Sequence, residues 1–153
     1  MPDRQSAHRD VAQNRRAFHD YFIDERLEAG IELTGTEVKS LRAGRVNLRD
    51  GFVRVDGDQA WLEGVHISPY AQGSWTNHDP TRRRRLLLHH RQITSLYGQV
   101  RQQGYTLIPL RMYFQGNWAK VEIGLARGKK LYDKRQAVAE RDAKREMARA
   151  LKR

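Results

Sequence analysis

The chain has 153 residues, and an apolar content of 39% with 8% aromatics can fill one hydrophobic core but not two. Lys and Arg number 29 against 18 Asp and Glu, so the formal net charge of +11 indicates a polyanionic partner. The absence of cysteine excludes thiolate catalysis, thiolate-bound zinc, iron–sulfur clusters and disulfide bonds.

Charge divides the chain into three segments. We expect a flexible N-terminal lead over residues 1–13, a globular body over 14–126 and a basic C-terminal tail over 127–153. The tail contains 11 Lys or Arg against 4 Asp or Glu. The sequence has neither a run of roughly 20 apolar residues for a membrane span nor the apolar core of a signal peptide. We therefore expect a cytoplasmic protein without a membrane partner.

The first predicted elements of the body are a strand and a short helix. Ile31 and Leu33 suggest the strand. The spacing of Thr34 and Glu37 is that of a capping box, and Gly44 can end a helix in the left-handed conformation. The pattern therefore predicts a helix over about 35–43.

A hairpin and a longer helix follow along the chain. An Asp-Gly turn within residues 53–62 predicts a β-hairpin. Apolar residues recur with helical spacing over 93–100 and predict an amphipathic helix that ends before Gly104.

A second hairpin is predicted near the end of the body. Residues 115–117 form a turn signal between a strand over 107–114 and an alternating strand over 119–125. Pro109 cannot donate to a strand ladder, so we expect it at an edge or a bulge. Together the elements favour a mainly β fold, an antiparallel OB-like barrel with peripheral short helices.

The tail has the composition of a helix with a weak apolar face. Residues 136–152 contain no Gly or Pro and are rich in Ala, Arg, Lys and Glu. The apolar stripe consists of Ala139, Ala143, Met147, Ala150 and Leu151, and it buries too little area to dock firmly on the body. We therefore expect a basic, conditionally helical tail that orders against a polyanion.

The sequence contains no set of residues that predicts catalysis. Segment 124–130 has one residue too few between its glycines for a phosphate-binding loop, and Lys130 replaces the Ser or Thr of that loop. The neighbours His89 and His90 diverge on a helix and cannot act as two ligands of one metal. We expect no catalytic residue, metal or cofactor, although the carboxylates of a nuclease could converge only in the fold.

Several basic motifs favour RNA as the polyanion. Asn14, Arg15 and Arg16 combine an amide that can read base edges with two cations that can bind phosphate. Lys39 and Arg42 add positive charge around the first helix.

A run of four arginines over residues 82–85 follows Asp79 and Pro80. If Asp79 caps a helical turn, the arginines lie at the positive end of its dipole, where an anion would compensate them. Arg is also the side chain best shaped for bidentate phosphate contacts. Phosphate binding is thus favoured over a merely solvated charge run.

Five motifs, in order, resemble the SmpB family over nearly the whole chain. They are NRRAFHDYFI at 14–23, GIELTGTEVKSLRAGRVNL at 30–48, PYAQGSWTNHDPTRRRRLLLH at 69–89, GYTLIPL at 104–110 and GLARGKKLYDKR at 124–135. The resemblance implies a barrel that binds the tRNA-like part of transfer-messenger RNA (tmRNA) and delivers it to stalled ribosomes in trans-translation. The tail would occupy the vacant decoding site and mRNA channel.

The resemblance also implies binding residues. Those for tmRNA fall on Asn14, Arg15, Arg16, Glu28, Lys39, Arg42, Arg82, Arg83, Arg84, Arg85 and Leu87. A carboxylate such as Glu28 can accept hydrogen bonds from base donors. The ribosome-binding residues of the tail fall on Gly128, Lys129, Lys130, Tyr132, Asp133, Lys134 and Arg135.

Two other functions stay open from the residues alone. An RNA-processing enzyme on a basic barrel would cleave or modify the RNA that it binds. A constitutive ribosomal protein would occupy ribosomes whether or not tmRNA is present. Nothing in the sequence suggests an obligate dimer, so we expect a monomer.

Overall fold

The computed structural model describes residues 8–70, 79–129, 141 and 143–150. Within these ranges the chain forms nine strands and three helices, followed by a helical stretch over 143–150. In chain order the elements are β1 (His8–Gln13), α1 (Arg15–Asp20), β2 (Tyr21–Ile31), α2 (Gly35–Arg42), β3 (Val46–Asn47), β4 (Phe52–Asp56), β5 (Gln59–Glu63), β6 (His66–Ile67), β7 (Arg84–Leu87), α3 (His90–Gln103), β8 (Thr106–Gln115) and β9 (Trp118–Gly128).

Six of the described strands close into an antiparallel barrel. Their hydrogen-bonded order is β8-β4-β5-β7-β2-β9, and β9 pairs again with β8 to complete the ring. Strand β1 lies outside the ring on β8, while β3 and β6 form a separate two-stranded sheet. The predicted antiparallel barrel with peripheral short helices is therefore confirmed.

The hairpin of β8 and β9 forms around the predicted turn at 115–117. Its register runs from Gln115 opposite Trp118 to Thr106 opposite Ala126. The register shifts just after Pro109, so this residue lies at a bulge, one of the two places predicted for it.

The other locally encoded elements are also present. Strands β4 and β5 pair around the Asp-Gly turn. Helix α2 begins with the capping box between Thr34 and Glu37, and Gly44 follows its end with a left-handed φ of 73°. Helix α3 ends before Gly104, whose φ of 69° is left-handed as well.

Strand β2 is longer than predicted and begins earlier. The sequence predicts a strand only around Ile31 and Leu33, whereas β2 runs from Tyr21 to Ile31 and pairs with both β9 and β7. Residues 24–26 are charged and exposed. They interrupt the alternation of apolar and polar residues by which a half-buried strand is recognised.

The main core fills the barrel and extends to two of the helices. Leu41 of α2 and both Ile93 and Leu96 of α3 are buried in it. Helix α1 packs elsewhere, because Ala17 belongs to a second buried cluster with Leu110 of β8 and Ala126 of β9. The barrel therefore carries packed helices on more than one side.

The body extends beyond both predicted boundaries. The lead predicted over 1–13 was expected to be flexible, but its residues from His8 to Gln13 form β1 on the barrel. At the other end β9 continues to Gly128, so the first two residues of the predicted tail belong to the barrel. Both ends of the body are determined by strand pairing with residues far along the chain. Such pairing cannot be recognised from local composition.

The described part of the tail is a solvent-exposed helix. Residues 141 and 143–150 are helical and exposed, and the side chain of Met147 is 68% exposed. The predicted helix is confirmed for these positions, where the apolar stripe stays off the body. The rest of 136–152 lies outside the described residues.

No helix among the described residues is long and apolar enough to cross a membrane.

A buried glycine next to β4 provides a test of the packing. A Cβ added at Gly51 would lie 2.6 Å from Cγ2 of Val65 and 2.8 Å from Cγ of Pro109. Gly51→Ala should therefore lower the free energy of unfolding by about 1–3 kcal/mol. A Cβ at Gly35 meets nothing within 4 Å, and Gly35→Ala in α2 should be neutral or slightly stabilising. Urea unfolding measures both variants, and equal midpoints would contradict this packing.

Candidate nucleic-acid interface

The four consecutive arginines do not share one environment. In β7 the side chains alternate, so that Arg84 is fully buried while Arg85 is exposed. The expected phosphate contact of Arg84 is therefore wrong, because its guanidinium is inside the protein. At Asp79 the chain forms a single hydrogen-bonded turn and no helix. The carbonyl oxygen of Asp79 accepts the backbone N–H of Arg82 at 3.2 Å, and its Oδ1 caps the turn by accepting the backbone N–H of Thr81 at 3.0 Å.

Glu37 is the anion that compensates the buried arginine. Its Oε2 accepts a hydrogen bond from Nε of Arg84 at 2.5 Å, and its Oε1 accepts one from Arg82. The same Oε1 caps α2 by accepting the backbone N–H of Thr34 at 2.9 Å. Burial opposes ionisation of this carboxyl, but hydrogen bonds from Arg82, Thr34 and Arg84 outweigh it and lower the pKa of Glu37.

Arg84 also bonds to two backbone carbonyls. Its Nη1 donates to the carbonyl oxygen of Val65 at 2.8 Å, and its Nη2 donates to that of Pro80 at 3.0 Å. Burial lowers the pKa of this guanidinium and Glu37 opposes that shift, while an arginine stays protonated at any pH of interest. Arg84 is thus a structural cation that joins α2 to the segments before β6 and β7.

The remaining arginines of the run differ in how far they can reach a phosphate. Arg82 is one-third exposed and is held by Glu37. Arg83 is exposed and lies 4.0 Å from the ring centroid of Trp61. Arg85 is exposed and faces Glu32 at 3.7 Å. Only Arg83 and Arg85 of the four point mainly to solvent.

Asn14 has a structural position that the sequence did not predict. It is buried, its Oδ1 accepts the backbone N–H of Ala17, and its Nδ2 donates to the carbonyl oxygens of Leu48 and Pro109. Its amide therefore cannot read a base edge in this conformation, contrary to the expectation for direct readout. It fixes the start of α1 on the barrel.

The two arginines after Asn14 are exposed. Arg16 pairs with Asp20 at 3.1 Å and reaches Asp50 at 3.9 Å. Arg15 is exposed at the start of α1. Both stay candidates for phosphate contacts, because exposed ion pairs of this kind are weak and exchange readily.

Glu28 and Leu87 come together in one open groove of about 500 Å³, which also has Arg85 and Lys120 in its lining. We call it the central groove. Glu28 accepts a hydrogen bond from the hydroxyl of Tyr113 and lies 3.7 Å from Nζ of Lys120. Burial and then the bond to Glu28 raise the pKa of Tyr113, so this phenol remains a proton donor. The groove thus combines fixed acceptors, two cations and an apolar side chain.

Lys120 is a charged residue of the groove that sequence reasoning did not select. It occupies β9 opposite Gly30 of β2, and Gly30 in turn lies opposite Leu87 of β7. The alternation of residues 119–125 indicates that Lys120 faces away from the core, but it does not show which residues stand beside it. Strand register supplies that information.

Of the two basic residues predicted on α2, Arg42 borders a second, adjacent groove. Arg42 lies over the ring of Phe114 with 4.7 Å to its centroid, and Lys39 lies 5.5 Å from the ring centroid of Tyr70. Phe114 lines an open groove of about 600 Å³ together with Leu87 and Trp118. We call this the lateral groove, and it shares Gly30, Leu87 and Lys120 with the central groove.

Two of the predicted tail residues lie in the described part of the chain. Gly128 ends β9. Lys129 donates from Nζ to the carbonyl oxygen of Phe18 at 3.2 Å and lies 5.4 Å from the ring centroid of Phe22. The other predicted positions are outside the described residues, namely Lys130, Tyr132, Asp133, Lys134 and Arg135.

The acidic and histidine side chains of the described residues form no metal site. Among residues 8–70, 79–129, 141 and 143–150, no group of three or more His, Cys, Asp or Glu could hold a metal ion.

Comparison with known proteins agrees with this picture. The model of the SmpB protein family matches residues 11–153. The SsrA-binding protein of Roseiflexus sp. (strain RS-1) is 64% identical over 143 residues, covering 93% of this chain and 90% of that protein. The SsrA-binding protein of Carboxydothermus hydrogenoformans is 58% identical over 142 residues, covering 93% and 95%.

A solved structure described as "tmRNA-SmpB: a journey to the center of the bacterial ribosome" contains a chain of similar fold. The sequences are 53% identical, the TM-score is 0.66, and the match covers 77% of this chain and 83% of that chain.

The buried ion cluster makes a stability prediction. Glu37→Gln should lower the free energy of unfolding by about 3–5 kcal/mol at neutral pH, because it leaves Arg84 buried without its anion. Glu32→Gln, which breaks only an exposed pair with Arg85, should cost less than about 1 kcal/mol. Urea unfolding compares the two, and a similar small loss in both would argue against a buried cluster.

The same cluster makes a pH prediction. Because the pKa of Glu37 is lowered in the folded protein, its ionised form contributes stability that is complete above the unfolded-state pKa. That contribution is lost as the pH falls through the folded-state pKa. Below about pH 4.5, the ordinary value for this carboxyl, the unaltered protein should therefore lose stability more steeply than Glu37→Gln. Parallel curves of unfolding free energy against pH would exclude a contribution from Glu37.

Proposed function

The chain belongs to the SmpB family, and we propose on that basis that it is a tmRNA-binding adaptor of trans-translation. Its barrel binds the tRNA-like part of tmRNA and delivers it to stalled ribosomes, while its tail occupies the vacant decoding site and mRNA channel. The observation that carries the proposal is the family match over residues 11–153, which includes body and tail together.

The central groove supports binding of RNA by the barrel. Arg85 and Lys120 supply charge for phosphates, whereas Glu28, which the hydroxyl of the buried Tyr113 holds in place, offers a directional hydrogen-bond acceptor. Leu87 is 49% exposed on the same surface, where an apolar side chain can pack on a base or a sugar. Such a mixture suits selective contact better than a uniformly basic surface does.

The tail supports a second and separate contact. Its described helix is exposed along 143–150, so its charges are available to another polyanion. A helix of this length without tertiary contacts is marginal in water. The tail would become ordered by binding to ribosomal RNA through side chains that do not contact the barrel. Tyr132 is a candidate for stacking on a base.

The proposed adaptor works without catalysis, cofactor or metal, as a monomer in the cytoplasm. An adaptor has to hold its RNA intact and hand it on, and the described grooves offer binding groups rather than a nucleophile with an adjacent base. A permanent ribosomal protein is the alternative that shares this chemistry, and it differs in occupying ribosomes without tmRNA.

Removing the tail should separate the two contacts. Deletion of residues 130–153 spares β9 and the Lys129 contact, so tmRNA affinity should stay within about threefold of the full chain while tagging of stalled chains is abolished. Gel-shift titration and a tagging assay with tmRNA and stalled ribosomes measure the two effects. A parallel loss of affinity would show that the contacts are not separable, and shortening of the bound RNA would instead reveal a processing enzyme.

The exposed arginines should account for part of the salt dependence of tmRNA binding. Replacing Arg83 and Arg85 together with Ala should reduce the slope of log K against log salt concentration by about 2, because two phosphate contacts no longer release counterions. Arg54→Ala removes an exposed arginine on β4, outside the lining of both grooves, and serves as the matched control. An unchanged slope in the double variant would exclude both side chains from phosphate contact.

A further inference from the structure

Trp118 is the most exposed of the large apolar side chains in the described part of the chain. It is the first residue of β9, directly after the turn of the β8–β9 hairpin, and its side chain is 75% exposed. A tryptophan in that state contributes little to the core, and exposing its large apolar surface to water is unfavourable. Its position therefore calls for a partner outside the chain.

The surroundings of Trp118 identify the chemistry of that partner. Trp118 lines the lateral groove with Leu33, Val38 and Leu87. The groove is apolar in its walls, and Lys120 and Glu32 also line it. A nucleobase fits this setting, because it has flat faces for stacking and polar edges for hydrogen bonds.

Charge around the lateral groove favours RNA over an apolar protein segment. Arg42 is exposed and lies over the ring of Phe114, which lines the groove. Its guanidinium therefore stands at the edge of the groove. Lys39 lies on the same helix and is exposed, but it stands next to Tyr70, which does not line the groove. Arg42 is therefore the cation of this helix that can bind a phosphate beside a base in the groove.

The lateral groove is also continuous with the central groove. Gly30, Leu87 and Lys120 line both, and a Cβ added at Gly30 would lie 3.2 Å from Cβ of Leu87. Because Gly30 has no side chain, no side chain at this position separates the two grooves. An RNA strand in the central groove can therefore extend to Trp118 without leaving the surface.

We propose that Trp118 stacks on an unpaired nucleobase of the bound tmRNA and that the lateral groove is the site of that base. The inference rests on the proposed function and deepens it by adding an RNA-binding residue. Stacking on an aromatic ring is tolerant of base identity, so this contact adds affinity, while the polar groups of the central groove add selectivity.

The test compares an aromatic and an aliphatic replacement in the full-length protein with transcribed tmRNA. Trp118→Leu should weaken binding by about 5- to 100-fold, the range expected for losing one stacked base. Trp118→Phe should keep most of the affinity, because a ring is still present. Phe52→Leu removes another exposed aromatic side chain, 44% exposed on β4, and should bind like the unaltered protein.

Two further readouts separate stacking from other roles. Salt slopes should be the same for Trp118→Leu and the unaltered protein, because stacking releases no counterions. The fluorescence of Trp118, obtained as the difference between the unaltered protein and Trp118→Phe, should be quenched when tmRNA is added. Unfolding midpoints of the variants should also agree, since the side chain is exposed.

Each contrary outcome has one meaning. Unchanged affinity in Trp118→Leu, equal losses in the Leu and Phe variants, or unquenched fluorescence would overturn the stacking role while leaving the proposed function intact. Normal tmRNA binding with loss of ribosome association alone would assign Trp118 to a ribosomal partner and also overturn it. If the unaltered protein fails to bind tmRNA, the proposed function fails and this inference fails with it.

Discussion

A single buried carboxylate sets the geometry on which the binding surface depends. Glu37 accepts hydrogen bonds from Arg84, Arg82 and the start of its own helix, so it holds α2 against β7. A guanidinium with no exposed surface requires such a partner, because an unpaired charge in the interior is very unfavourable. With Arg84 fixed inward, the period of two in a strand puts Leu86 inward and turns Arg85 and Leu87 outward. The outward pair then lines the central groove.

Local signals in the sequence predict much of this fold, and long-range pairing explains what they miss. The capping box at Thr34 and the turn at residues 115–117 are properties of a few neighbouring residues, so they could be recognised directly. Strand β1 and most of β2 could not, because polar strands are stabilised by partners far along the chain. A fold can be inferred from its clearest elements even when several strands are overlooked.

The candidate site shows the same division. The resemblance to a known family selected Glu28 and Leu87, and the structure brings them into one groove. The arginine run and the resemblance together selected Arg84 as a phosphate ligand, although a run of four arginines conceals the alternation that buries one of them. Asn14 is polar and is followed by two cationic residues, yet its amide nitrogen donates its hydrogen bonds to backbone carbonyl groups of the body. A polar side chain can be expected to form hydrogen bonds or ion pairs. Only the fold decides whether its partner belongs to the protein itself or to a bound molecule.

Strand β9 joins the central groove to the start of the tail by a fixed length of backbone. Lys120 stands near its beginning and Gly128 ends it, and eight residues of extended strand span about 26 Å. Both neighbours of β9 hold its register, and a slip of one residue would turn every outward side chain inward. The strand therefore fixes the distance between the central groove and the start of the tail. A one-residue insertion in β9 would have to be absorbed by a bulge, as the register shifts at Ile23 of β2 and Pro109 of β8 already show. Any other change of length would alter the distance between the central groove and the start of the tail together with the face that each side chain occupies.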